Sequence, residues 1–124
     1  MTRMERRRKR STDPLVALHY HLSVARTEGD LDAIVLADAS GVVVAGAGAW
    51  PVCEELAAYA PLLVCSDGST PSVSRRVNAL RGEVDVHSLS VAGQDVLLCA
   101  RGGRTRLESI AKAAAGVERI LCAA

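Results

Sequence analysis

Phenylalanine is absent from this 124-residue chain, and its aromatics are one Trp and two Tyr. A core must therefore be built from Val, Leu, Ile and Ala, and stacking of nucleic-acid bases on aromatic rings has almost no material. No apolar run approaches the roughly 20 residues of a bilayer-spanning helix. No apolar stretch follows the basic start, so no secretion signal is expected and the expected compartment is the reducing cytoplasm. Cys53, Cys65, Cys99 and Cys122 form no Cys-x-x-Cys pair and have no His at metal-ligand spacing, which argues against zinc. They read as small buried hydrophobes. What remains is ordinary for a globular fold: 49% hydrophobic and 23% charged residues exclude wholesale disorder.

The net charge of +1 is unevenly placed. Arg3, Arg6, Arg7, Arg8, Lys9 and Arg10 stand against Glu5 alone, and the rest of the chain has nine basic residues against thirteen acidic. The expected organisation is a basic arm over residues 1–12 and one mildly acidic domain over 13–124. Arg6, Arg7, Arg8, Lys9 and Arg10 are candidate contacts for nucleic acid or anionic lipid. A solvated tail is the plainer reading, because the arm has no apolar helical face.

Asp13-Pro14 should open a helix, with Asp as N-cap and Pro at the first helical position. Leu15, Leu18, Leu22 and Ala25 share one face, and Gly29 is a candidate left-handed terminator. Residues 31–37, the turn Asp38-Ala39-Ser40-Gly41 and residues 42–45 predict an antiparallel hairpin with both strands apolar enough to sit centrally. Gly46-Ala47-Gly48 leads into a helix over 51–65, with Glu54 and Glu55 in its first turn; Pro61 should kink or end it unless Leu62-Leu63-Val64 continue it. Residues 66–72 read as a loop and 73–80 as a short helix. Residues 83–91 alternate with a phase change near His87-Ser88, which suggests a bulge. A turn at Ala92-Gly93-Gln94 and a partner strand over 95–100 follow. The closing helix spans about 105–121, with Thr105 and Glu108 spaced as a capping box and Leu107, Ile110, Ala114, Val117 and Leu121 as its stripe. The sum is an α+β fold in the order α-ββ-α-ββ(β)-α, an antiparallel sheet of four to five strands covered by helices.

Few residues point to chemistry. Gly46-Ala47-Gly48 has the look of a phosphate loop, but Pro51 stands where a third Gly belongs, so a tight strand-to-helix turn is the better reading. His19 and His21 point about 200° apart on a helix and cannot share a metal. Asp85 and His87 lie on one strand face as a conceivable acid/base pair, with a surface pair the commoner case. Ser40, Ser88 and Ser90 lack a nucleophile elbow. No enzyme is expected and no cofactor.

The run Leu31-Asp-Ala-Ile-Val-Leu-Ala-Asp-Ala-Ser-Gly-Val-Val-Val-Ala-Gly, the helix Cys53-Glu-Glu-Leu-Ala-Ala-Tyr-Ala, the strand Gln94-Asp-Val-Leu-Leu-Cys-Ala and the closing helix together resemble the Roadblock/dynein light chain family over about residues 13–122. The family typically has three strands after the middle helix, and two are evident here. The resemblance implies a Roadblock/longin/profilin-like fold and a non-enzymatic dimeric module, homo- or heterodimeric, that regulates or scaffolds a small Ras-like GTPase of a bacterial polarity, motility or signalling type. On the middle helix it directs attention to Trp50, Glu54, Glu55, Ala58 and Tyr59 as interface residues.

Overall fold

The computed structural model describes residues 13–65, 79 and 82–123. The basic arm, the loop at 66–72 and, but for Ala79, the short helix expected at 73–80 lie outside them. The described elements are α1 (Pro14–Gly29), β1 (Ala33–Asp38), β2 (Val43–Ala47), α2 (Trp50–Cys65), β3 (Val84–Val91), β4 (Gln94–Arg101) and α3 (Arg106–Ala123). The order is the one the sequence predicts, α-ββ-α-ββ-α.

All pairings are antiparallel, and the sheet order is β2-β1-β4-β3. Alternation of side chains splits β1 between two cores. Ile34 and Leu36 join Leu98, Leu18 and Leu22 beneath α1 and α3. Ala33, Val35 and Ala37 join Cys99, Cys53 and Leu56 beneath α2. β1 and β4 thus run almost wholly apolar because helices cover both faces. β2 is a sheet edge among the described residues, not a central strand; its apolarity reflects the cover of α1 on one face and α2 on the other.

Asp13 caps α1, its Oδ1 accepting from Val16 N at 3.4 Å. The left-handed residue at the other end is Asp30 (φ 53°) rather than Gly29. Leu31 N donates to Arg26 O at 3.0 Å and closes the helix end. Gly29 serves packing instead: a Cβ there would lie 2.5 Å from Ser109 Oγ on α3. Leu18 and Leu22 are buried and Ala25 packs against them, whereas Leu15 is exposed.

The apparent phase change in the third strand is not a bulge. β3 pairs with β4 in unbroken register from Val84↔Arg101 to Val91↔Gln94. Val84 and Val86 face α2, while Leu89 and Val91 face the opposite layer, where α3 covers them. The apolar side switches because different helices cover the two halves of the strand. The irregular register lies instead between β1 and β2, where Leu36↔Ala45 gives way to Ala37↔Val43.

α3 carries buried Ile110, Ala113, Ala114 and Val117, but Leu107 is 67% exposed. Thr105 contributes its carbonyl to Ser109 N at 2.9 Å, and among the described residues no capping-box exchange with Glu108 forms. Cys53 and Cys99 are buried thiols as expected, while Cys122 is exposed.

Candidate functional site

The middle helix is set by the two-residue junction that precedes it. Gly46 and Ala47 belong to β2, so Gly48 and Ala49 alone make the turn. Gly48 has φ +119°, and a Cβ on it would meet Asp32 O at 2.8 Å, so the position requires glycine. Ala49 O then accepts from Val52 N and Cys53 N at 3.1 Å each. This is a tight strand-to-helix turn, and its glycines face the protein's own backbone.

α2 starts one residue earlier than predicted. Glu54 and Glu55 therefore stand in its second turn, not its first. The helix also runs through Pro61 to Cys65. Proline donates no backbone N–H, so Ala57 O loses its intrahelical partner. That carbonyl lies beside the first hairpin turn: a Cβ at Gly41 (φ +90°) would be 3.3 Å from it. The turn itself is held by Asp38, whose Oδ1 accepts from Ser40 N, Ser40 Oγ and Val42 N at 2.9, 2.7 and 3.0 Å.

Cys53, Leu56, Ala57 and Ala60 turn inward against the sheet. Trp50, Glu54 and Ala58, spaced by four, turn outward in one line, with Trp50 49% exposed. Glu55 and Tyr59 are half-buried on the flank, and Tyr59 packs against the core below. The five predicted residues thus divide into an exposed row of three and a flank of two. The row offers one carboxylate between a flat indole and a small residue.

The other candidates resolve differently. Asp85 Oδ2 pairs with Arg106 Nε at 2.6 Å and not with His87, which is exposed on the strand. Sequence reading missed Arg106 because a separation of 21 residues leaves no local signal. His19 Nδ1 lies 3.2 Å from Gly46 O on β2, and His21 Nε2 lies 3.0 Å from Ala113 O on α3. The two histidines therefore bind α1 to different neighbours. Burial pushes the Cys99 thiol up to about 12, with nearby Asp85 adding to the effect and Arg106 opposing it. Burial likewise raises the Cys53 thiol. Neither sulfur is a ready nucleophile or metal ligand. Among the described residues no cluster of three or more His, Cys, Asp or Glu could hold a metal ion, and no helix is long and apolar enough to cross a membrane.

Among the described residues, a four-stranded antiparallel sheet with α1 and α3 on one face and α2 on the other makes a roadblock/longin-like α+β fold. Among solved structures, it is similar to Myxococcus xanthus MglB, a roadblock/longin-fold protein, at a TM-score of 0.54 and 15% identity, over 87% of this chain and 86% of that one. No family model matches the chain, and no curated protein matches it in sequence.

Proposed function

We propose that the chain is a non-enzymatic, dimeric interaction module that regulates or scaffolds a small Ras-like GTPase, with the outer row of α2 as its contact surface. The observation that carries this reading is the line Trp50, Glu54 and Ala58 on a helix whose opposite face is fully engaged with the sheet. A half-exposed Trp beside a small residue is the composition of an association hot spot. The roadblock/longin-like fold agrees with it, since the family that the sequence resembles works by association. Glu54 gives the surface a sign and so a preference for a basic patch on the partner. If the module changes hydrolysis, it would do so by orienting the GTPase's own groups rather than by supplying an arginine finger.

The test is a tagged pull-down from the native lysate, run with wild type, Trp50→Ala, Glu54→Lys, Ala58→Arg and a deletion of residues 1–12. Recovery of a Ras-like GTPase by wild type and by the deletion, with at least a ten-fold loss in the α2 variants, supports the reading. Equal recovery by all α2 variants of unchanged Tm removes that helix from it.

A further inference from the structure

One end of the sheet has an apolar cleft with acidic residues on its rim. It has a volume of ≈ 690 Å³ and lies between the two hairpin turns and the end of α3. Leu36, Val91 and Leu121 contribute an apolar floor, and Asp38 and Asp95 stand on its rim. Among the described residues no Lys, Arg or His lines it. The end of α3 adds to the negative field, because its last turn has no basic residue to offset the carbonyl end of the helix dipole. Asp38 stays ionised, since the Ser40 hydroxyl and Val42 N–H bonds lower its pKa.

The chain itself delivers a cation-rich segment to this end. α1 feeds β1 through Leu31, so it runs antiparallel to β1 and alongside β2 in the same direction. His19 is level with Gly46. Asp13 lies about 9 Å further back along the helix, level with the start of β2 and so at the turn end of the sheet. Residues 6–10 are three to seven residues from Asp13, an extended reach of roughly 10–25 Å. The four-stranded sheet is only about 14 Å across.

We propose that residues 6–10 dock into this cleft of their own chain, with guanidinium groups facing Asp38 and Asp95 and methylene stems lying on Leu36, Val91 and Leu121. Arginine suits both halves of such a site, since its stem buries on apolar surface while its head stays on the charged rim. Tethering makes the local arm concentration millimolar, so weak contacts suffice. Docking would hold the arm away from polyanions at low ionic strength and release it as salt screens the rim.

Cys122, exposed next to Leu121, provides the reporter. A nitroxide on Cys122, with Cys65 replaced by Ser to keep the label at one site, should broaden the backbone amide signals of residues 6–10. The expected result at about 20 mM salt is at least a two-fold loss of intensity, restored at about 500 mM salt. Asp95→Lys, at an exposed position, should also restore it. Unchanged intensities in the wild type would overturn the proposal, as would equal broadening in Asp95→Lys. A mixture of spin-labelled chains and separate isotope-labelled chains distinguishes the occupant: broadening there would assign the contact to a second copy and overturn docking within one chain.

Discussion

Asp38 organises the tip of the first hairpin through three bonds to one oxygen. The Ser40 hydroxyl, and after it the Val42 N–H, hold its carboxyl below the ordinary 3.8. A carboxylate with a lowered folded pKa stabilises the fold above the ordinary value and loses that contribution as pH falls through the folded one. Asp38→Ala should therefore lower Tm at pH 7, and the gap to wild type should close on acidification below about pH 4; thermal scans across that range check it. Glycines at close approaches act through volume instead. A Cβ at Gly116 would fall on the His21 ring, whereas one at Gly82 meets nothing within 4 Å. Gly116→Ala should cost about 1–3 kcal/mol by overpacking, and Gly82→Ala should be near neutral, as measured by denaturant titration. The thiols differ in the same local way. Alkylation of the native protein followed by peptide mapping should modify exposed Cys122 and spare Cys53 and Cys99 until the chain is unfolded.

Elements show both what the sequence reveals and what it conceals. The second hairpin has a two-residue turn, Ala92 and Gly93, with φ of 52° and 80°. Two positive φ values belong to a type I′ turn, which favours Asn-Gly. Alanine in the left-handed region is strained by roughly 1–2 kcal/mol. Ala92→Asn should recover about 0.5–1 kcal/mol of that, read as a higher urea midpoint at unchanged slope. Helix and strand periodicity made every described element and its order legible, along with Leu18, Leu22, Ile110 and Val117 as core. The errors are tertiary in origin. Leu15 and Leu107 fit their helical stripes, but each lies at a helix end beyond the sheet's cover. The alternation in β3 imitates a bulge because α2 covers one half of that strand and α3 the other, which no local window can register. Asp30 rather than Gly29 takes the left-handed position at the end of α1, while Gly29 faces Ser109 on a helix 80 residues away in sequence. In the candidate site, the sequence groups Trp50, Glu54, Glu55, Ala58 and Tyr59 on one helix, but the packing of that helix on the sheet decides their exposure: Trp50, Glu54 and Ala58 are exposed, whereas Glu55 and Tyr59 are half-buried.

At the scale of the whole molecule, the sheet joins two apolar layers that share its central strands. Ile34 and Leu36 point to α1 and α3, and Val35 between them points to α2. A strand cannot leave one layer without vacating the other, so the layers should unfold together. Leu22 and Leu56 lie fully buried on opposite faces. Leu22→Ala and Leu56→Ala should each cost about 2–5 kcal/mol through lost transfer energy and the cavity left behind. Trp50, the single Trp, stands at the start of α2 and reports from that layer. Far-ultraviolet circular dichroism reports mainly from the helices of both. If the layers were independent, Leu22→Ala would move the dichroism transition and leave the Trp50 fluorescence transition in place. Shared strands predict that both probes shift together, to one midpoint, in each variant. Coincidence in both variants would mean that a change at the α1–α3 face reaches the α2 surface through β1 and β4; a split in either would mean that α2 can loosen while the opposite core holds.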